Sequence, residues 1–344
     1  MSYYDEDVFE IDEFGMLTDY YDNFTKVVEI PDCVSSIYNA FSDHSEIEHV
    51  ILPRGLSDIE ECAFEGCANL KSIEIPKGVY IIDENAFDRC SGLESISVEE
   101  GNSYFHVTDN CLIATKSKIL IRGCKSSRIP SDGSVTVIGN SAFSGCVGLK
   151  SIEIPGCIKT IEDGAFCGCS DLECITVAPD NAIYHSKDNC LIKTESKTLI
   201  CACKNSIIPT DGSVTKIDDF AFSGCKGLTS ITIPGNVTEI GRYAFCDCEN
   251  LTSITLSDGL ESIAYYAFSE CINLTHIEIP SSITKIDQWG LCGNKNLTSV
   301  TIPASVTSID RGAFAYCSNL VITAPADSYA AKYAEVNHIK LNLL

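Results

Sequence analysis

The chain of 344 residues has no long apolar run and few basic residues. No stretch approaches the ~20 apolar residues of a membrane-spanning helix, so no membrane insertion is expected. The N-terminus, Met1 to Asp7, is acidic and lacks the apolar core of a signal peptide. The sequence as given therefore predicts a cytoplasmic protein, or a surface or secreted one if a leader precedes it. A net charge of −24 argues against nucleic acid as a partner.

The motifs of common enzymes and cofactor sites are missing as well. The sequence has no phosphate-binding glycine loop, no nucleophile elbow and no HExxH motif. Its Cys-x-Cys pairs lack the two-residue spacing and the second knuckle of a structural zinc site. We therefore expect no cofactor, no metal and no catalytic residue.

What the sequence does contain is a repeat, Ile-Pro-x-x-Val-x-x-Ile-x-x-x-Ala-Phe-x-x-Cys-x-x-Leu. Its Phe recurs in steps of 23 residues, interrupted by two steps of 56. A fixed period in the range of about 20–50 residues is typical of solenoids. The Phe position is occupied by Phe64, Phe87, Phe143, Phe166, Phe222, Phe245, Phe268 and Phe314, with Leu291 in the one vacant place.

Each repeat can be interpreted as one coil. Ile231 and Ile233 alternate with polar residues, which indicates a half-buried strand, and Pro234 ends it. The segment 241–245 indicates a tight 3₁₀ turn that brings Phe245 into the centre of the coil. Stacked coils would pair their strands in parallel about 4.8 Å apart. The prediction is a mainly β solenoid of about ten coils with one parallel β-sheet face.

The two 56-residue steps hold matching insertions, near residues 99–128 and 178–207. In each, an Asp-Asn pair (Asp109-Asn110 and Asp188-Asn189) separates two extended runs, which predicts a β-hairpin. The predicted domains are an N-terminal cap (1–26), the solenoid (27–320) and a C-terminal cap with a short helix (321–344).

Twenty cysteines would suggest a disulfide scaffold in a short secreted chain. Here eight of them stand three residues after the repeat Phe, which indicates a buried packing column, because free cysteine behaves as a small hydrophobic residue. These eight are Cys67, Cys90, Cys146, Cys169, Cys225, Cys248, Cys271 and Cys317.

The repeat, the Asn-x-x-Tyr insertions and the terminal Ser-Tyr-Ala-x-x-Tyr-Ala segment resemble BspA-like leucine-rich repeat proteins. The resemblance covers roughly residues 27–340. It implies a leucine-rich-repeat solenoid and a protein-binding role, since the better-known bacterial members are surface proteins that adhere to host proteins or other cells. It does not name the partner.

The function predicted is adhesion-type binding of an unidentified protein by a monomer, through the concave strand face. The candidate contacts are the outward-facing positions of the strands, which form a lattice of hydroxyls with acidic spots. They are Glu74, Glu153, Ser230, Thr232, Thr255, His276, Glu278 and Thr301. Trp289, the only tryptophan, is a further candidate, because a lone Trp at an irregular repeat can be a binding hot spot.

Two alternatives remain open at this point. One is a structural spacer or a scaffold that self-associates. The other is a cysteine-dependent enzyme with its site in the hairpin insertions around His106 and His185. The enzyme hypothesis requires Cys111 or Cys190 to be exposed and reactive.

Overall fold

The computed structural model describes residues 8–344, which form two compact units, Met1–Cys169 and Ser170–Leu344. The first seven residues of the predicted N-terminal cap lie outside the described residues. Within each unit the repeats form stacked coils, which confirms the mainly β solenoid. The boundary between the units falls inside the predicted solenoid 27–320.

The elements of unit 1 are short strands. In chain order they are β1 (Phe9–Ile11), β2 (Met16–Tyr20), β3 (Val27–Glu29), β4 (Ser36–Ile37), β5 (His49–Ile51), β6 (Asp58–Ile59), β7 (Ser72–Ile75), β8 (Ile81–Ile82), β9 (Ser95–Val98), β10 (Phe105–Thr108), β11 (Cys111–Ala114), β12 (Ile119–Gly123), β13 (Val137–Ile138), β14 (Ser151–Ile154) and β15 (Thr160–Ile161).

Unit 2 repeats this plan and adds one helix. Its elements are β16 (Cys174–Val177), β17 (Tyr184–Lys187), β18 (Cys190–Lys193), β19 (Thr198–Cys201), β20 (Lys216–Ile217), β21 (Ser230–Ile233), β22 (Glu239–Ile240), β23 (Ser253–Leu256), β24 (Ser262–Ile263), β25 (His276–Glu278), β26 (Lys285–Ile286), β27 (Ser299–Thr301), β28 (Ser308–Ile309), β29 (Val321–Ala324), α1 (Tyr329–Val336) and β30 (Lys340–Leu343).

A regular coil contributes one strand to each of two parallel sheets. In unit 1 the outward-facing sheet follows the order β3-β5-β7-β9, and the two-residue strands β4, β6 and β8 continue a second sheet that begins with β2. In unit 2 the longer strands form the sheets β21-β23 and β25-β27-β29-β30. Because side chains alternate along a strand, one row of each longer strand points into the coil and the next points outward.

The inward rows and the repeat Phe residues form the core. Phe64 lies stacked between Phe41 and Phe87, with ring centroids 5.3 Å and 5.5 Å apart. In unit 2, Phe245 stacks on Phe222 at 4.6 Å. These rings are almost wholly buried. A buried Phe contributes about 3–5 kcal/mol relative to Ala, so truncating one of these rings would disrupt the coil.

The turn before each Phe follows the 3₁₀ hydrogen-bond pattern. The N–H groups of Ala63, Glu65 and Cys67 each donate to the carbonyl three residues earlier. Cys62 and Gly66 take positive φ angles of 56° and 71°. Each bond closes a separate β-turn, and the positive φ angles lie outside the 3₁₀ range, so the segments predicted as short 3₁₀ turns are β-turns.

Both insertions contain the predicted hairpin. β10 pairs antiparallel with β11, and β17 with β18. Asp109 and Asn110, which connect the first pair, have φ angles of 49° and 62°. Two positive φ angles define the type I′ turn of tight hairpins, which Asn and Asp tolerate better than other non-glycine residues. In the first insertion a third strand, β12, pairs antiparallel with β11 and parallel with β13. In the second insertion β19 pairs in the same way with β18 and β20.

The single helix lies in the region predicted as the C-terminal cap. Its N-cap is Ser328, whose hydroxyl accepts a hydrogen bond from the N–H of Ala331 at 3.1 Å. Ala330 and Ala334 are fully buried against the last coil. After the helix, β30 pairs in parallel with β29 and so extends the sheet by one strand.

Candidate binding surface on the strands

The outward residues of β21, β23, β25 and β27 form one surface, which we call the strand face of unit 2. Ser230 pairs with Ser253 and Thr232 with Thr255 across β21 and β23. The next two strands pair His276 with Ser299 and Glu278 with Thr301, and β23 contacts β25. The structure therefore brings together six of the predicted contacts: Ser230, Thr232, Thr255, His276, Glu278 and Thr301.

The hydroxyl groups of this face are available to a ligand. Among the described residues, those of Thr232, Thr255 and Thr301 have no hydrogen-bond partner within the protein. A second threonine column, at the start of the strands, behaves differently. Thr252 donates to the carbonyl of Thr229 at 3.0 Å and Thr298 to that of Thr275 at 3.1 Å. The hydroxyls of this second column therefore link neighbouring coils by hydrogen bonds. Across residues 8–344, the hydroxyls of Thr232, Thr255 and Thr301 form no such bonds.

A shallow groove of about 250 Å³ borders the face at Ser230 and Thr232. Its other wall belongs to the second insertion and includes Ile207, which is 70% exposed. Our sequence reasoning missed Ile207. The signal was available, because the equivalent residue of the first insertion, 79 positions earlier, is Arg128. An apolar residue has replaced a charged one at an exposed position beside the predicted contacts.

The two acidic candidates of unit 1 lie on strands of that unit. Glu74 points outward from β7, opposite Ser97 of β9, and Glu153 points outward from β14. Both side chains are exposed. They are separate candidates from the six residues of unit 2.

The start of each longer strand in unit 1 carries alternating charges. Glu48 forms ion pairs with Lys26 and Lys71, of which the first spans 2.7 Å. The hydrogen bonds from Lys26 and then Lys71 lower the pKa of Glu48 to about 2. These side chains pair with one another, so their charges largely cancel on the surface of unit 1 next to Ser72 and Ser95.

Trp289 lies on the turn side of its coil, away from the strand face. It takes a positive φ of 60° and continues a stack formed by Phe220, Tyr243 and Tyr266, which we call the aromatic ladder. Adjacent rings are 5.0, 5.0 and 6.1 Å apart. The far side of the indole lies on Gly312, where a Cβ atom would come within 2.8 Å of the ring.

The hypothesis of a cysteine-dependent enzyme in the insertions requires an exposed and reactive Cys111 or Cys190, and the structure contradicts this requirement. Cys111 and Cys190 are fully buried, and burial raises the pKa of each thiol to about 12. The imidazole Nδ1 of His106 lies 2.8 Å from the hydroxyl of Thr115. His185 makes the same contact with Thr194. Buried neutral thiols cannot act as the nucleophile that this chemistry needs.

The repeated cysteines have a hydrogen-bonding role in addition to packing. The thiol of Cys90 donates to the carbonyl of Phe64 at 3.0 Å, and that of Cys271 to Phe245 at 3.2 Å. In the irregular ninth coil, Asn294 replaces the cysteine and its amide donates to Phe268 at 2.9 Å. All twenty cysteines are free thiols. The column therefore satisfies a buried carbonyl of the preceding coil.

Neither a metal cluster nor a membrane span occurs in residues 8–344. There, no three His, Cys, Asp or Glu side chains are placed to hold a metal ion. No helix in that range is long and apolar enough to cross a bilayer.

The sequence matches the family model of the BspA-type leucine-rich repeat region in six copies, over residues 18–121, 120–211 and 196–321. These matches cover most of the chain, so the protein belongs to the BspA-type leucine-rich repeat family. The resemblance inferred from the sequence is confirmed. A search among curated proteins finds no similar sequence.

Solved structures with the same fold come from bacteria. A leucine-rich cell surface protein of Faecalibacterium prausnitzii is 24% identical, with 97% of each chain covered and a TM-score of 0.58. A leucine-rich repeat protein of Eubacterium ventriosum is 24% identical, with 89% of this chain and 85% of that chain covered and a TM-score of 0.50. The pneumococcal vaccine antigen PcpA is 18% identical, with 95% and 82% covered and a TM-score of 0.55. At these identities the likeness shows the fold alone.

Proposed function

We propose that this protein is a non-enzymatic binding module that docks a protein partner on the strand face of unit 2. The observation that carries the proposal is the free hydroxyl column of Thr232, Thr255 and Thr301, set beside the exposed Glu278 and His276. Polar side chains with unused hydrogen-bonding capacity on a rigid sheet lose little entropy when they bind.

The chemistry of the face indicates the kind of segment it would hold. Thr232 and Thr255 carry the same hydroxyl on neighbouring strands, about 4.8 Å apart, and Glu278 takes this position between Thr255 and Thr301. A partner lying across the strands would therefore meet a polar side chain on each strand. Glu278 adds one negative charge, which favours a partner with a basic or neutral contact region. The exposed Ile207 at the border offers an apolar anchor.

The family supports this function and a location outside the cell. The Faecalibacterium protein of the same fold is described as a cell surface protein, and surface display would expose the strand face to other cells or host proteins. The cytoplasmic location suggested by the sequence as given remains the alternative. The experiment below uses a separate source of partners for each location.

The test is an affinity capture under reducing conditions, from a bacterial lysate and from purified host extracellular-matrix proteins. The face variant is Thr232→Arg/Thr255→Arg, which places two bulky cations in the hydroxyl column. Glu278→Lys, Glu74→Lys and Glu153→Lys test the acidic candidates separately. Glu261→Lys, an exposed residue between β23 and β24, is the matched charge control. We expect a partner that binds the wild type and Glu261→Lys and is lost, by tenfold or more in affinity, in the face variant.

The other results have defined meanings. Retention by the face variant with loss in Glu74→Lys or Glu153→Lys would transfer the site to unit 1. Retention by all variants would contradict a strand-face site. If neither source supplies a partner, the spacer or self-associating scaffold becomes the better account. The oligomeric state, predicted to be monomeric, is measured on the same sample by light scattering.

A further inference from the structure

A groove of about 810 Å³ lies at the C-terminal end of unit 2, between the turn of the last coil and the segment that follows α1. We call it the terminal groove. Its basic lining residues are Arg311, His338 and Lys340, all exposed, and no carboxylate belongs to the lining. Such a surface is unusual in a chain with a net charge of −24.

The cations of the terminal groove have no internal counterions. Within the described residues, neither Arg311 nor Lys340 forms an ion pair. Asp310, the acid next to Arg311, lies 3.7 Å from Lys285. Five other lysines of unit 2 do form ion pairs, as Lys216 does with Glu239 at 3.0 Å. The charges in the groove are therefore free to meet an anion from outside.

The end of the coil stack adds a backbone donor. In earlier coils the N–H of Glu270 donates to the carbonyl of Cys292, and that of Gly293 to Ala315. Tyr316 occupies the next position in this series, and no further coil supplies an acceptor. In the part of the chain that is described, its N–H has no partner. Burial raises the pKa of Tyr333, and the nearby N–H of Phe314 lowers it by a smaller amount.

Two flat aromatic surfaces border these donors. Tyr316 is 73% exposed and takes a positive φ of 61°. Trp289, the end of the aromatic ladder, lines the same groove. The same turn position has a positive φ in earlier coils, 54° at Glu270 for example, so this backbone conformation belongs to the repeat. The groove thus combines cations, a free N–H and the exposed ring of Tyr316.

We propose that the terminal groove binds an acidic oligosaccharide, that is, a chain of sugar rings carrying carboxylates. A carboxylate would accept bidentate hydrogen bonds from Arg311, with Lys340 and the N–H of Tyr316 as further donors. The apolar C–H face of the sugar ring would lie on the exposed ring of Tyr316, because Tyr266 and Gly312 cover the two faces of Trp289. Sugar hydroxyls would meet the side-chain amide of Asn319, which also lines the groove.

An acidic peptide fits the same groove less well. An extended peptide must pair its own N–H and C=O groups, and strand addition at a sheet edge is the usual solution. The edge strand β30 could take such a strand, but only its first residue, Lys340, lines the terminal groove. The proposal does not depend on the strand face, because the two surfaces share no residue.

The test is calorimetric titration of the whole protein with tetragalacturonate and with sialyllactose, at low salt. The methyl ester of tetragalacturonate keeps the rings and removes the charge. Arg311→Gln removes the guanidinium, and Tyr316→Ala removes the exposed ring. The matched control is Arg242→Gln, because Arg242 is exposed at the same position of the repeat three repeats earlier. Circular dichroism and thermal unfolding confirm that each variant is folded.

We expect saturable binding of at least one of the two acidic sugars. Charge-assisted hydrogen bonds contribute about 1.5–3 kcal/mol, so Arg311→Gln and the methyl ester should each weaken binding by about tenfold or more. Tyr316→Ala should weaken it several-fold, and Arg242→Gln by less than twofold. No binding of either sugar, or equal loss in Arg311→Gln and Arg242→Gln, would overturn the proposal. Tighter binding of hexaglutamate than of both sugars would overturn it in favour of an acidic peptide.

Discussion

The same strand position carries charges in unit 1 and threonines in unit 2. At the start of the longer strands, unit 1 has a charged column and unit 2 a hydroxyl column. The residues are Lys26, Glu48, Lys71 and Glu94 in unit 1, and Thr229, Thr252, Thr275 and Thr298 in unit 2. Ion pairs join the coils in one unit, and hydroxyl-to-carbonyl hydrogen bonds join them in the other. Neighbouring coils are therefore linked at this position in both units, by ion pairs in one and by neutral hydrogen bonds in the other.

A second difference lies inside the coils. Arg122 of β12 is 1% exposed, and the equivalent residue 79 positions later is Cys201. The guanidinium donates to the carbonyls of Ser141 and Cys90 at 3.2 and 3.3 Å. Its Nε has no partner. The duplicated insertion thus has a polar interior in unit 1 and a thiol at the same place in unit 2.

The largest effect expected from this comparison is at Arg122. Arg122→Ala would remove one of the two donors to each carbonyl, since the N–H groups of Leu93 and Ser144 also donate to Cys90 and Ser141. It would also open a cavity, and we expect a total cost of about 2–5 kcal/mol in free energy of unfolding. Cys201→Ala removes one small side chain and should cost about 1 kcal/mol. Urea unfolding followed by circular dichroism measures both.

Arg122→Met separates volume from hydrogen bonding. If Met restores most of the lost stability, packing dominates at this site, in line with the near-neutral replacement of other buried charges. Equal destabilisation by Arg122→Ala and Cys201→Ala would contradict the assigned difference between the two insertions.

A smaller effect is expected at the charged column. Because its ion pairs lower the pKa of Glu48 to about 2 from 4.5, they stabilise the fold above about pH 4.5. That stabilisation is lost as the pH falls towards 2. Glu48→Gln should lower the urea midpoint slightly at pH 7, and 1 M salt should abolish the difference by screening exposed charges.

Thr252→Val is the counterpart in unit 2. It removes the hydrogen bond to Thr229, which carries no charge, so its effect on the urea midpoint should be the same in low and high salt. Salt-dependence in Thr252→Val, or its absence in Glu48→Gln, would show that the two columns do not differ as described.

Most of the fold could be predicted because the repeat carries it. The Phe column and the cysteine column each occupy a fixed place in a period of 23 residues, and the two Asp-Asn hairpins recur 79 residues apart. Several copies that agree make the interpretation specific. The burial of Arg122 could not be predicted, because an Arg next to a glycine at the end of an apolar strand is usually exposed. Its partners come from two other coils and depend on the packed structure.

The functional surface was only partly predictable. Outward strand positions follow from the period of two, so Thr232, Thr255 and Glu278 could be named from the sequence. Which of them lack an internal hydrogen bond depends on distances between coils. Trp289 was singled out as an isolated residue, and its stack with Tyr266 depends on a positive φ that the sequence does not reveal. The terminal groove was not predicted, because its lining residues come from two coils, from α1 and from the segment after it, which the repeat does not relate to one another.

The most direct test of the binding role places a photo-crosslinking amino acid at Thr255 or at Ser97, the same outward position in unit 2 and in unit 1. Both side chains are exposed, so the two labelled proteins differ in the unit they probe and not in accessibility. The account predicts that the captured partner crosslinks to position 255 and not to position 97. Crosslinking at position 97 alone would contradict a binding face on unit 2.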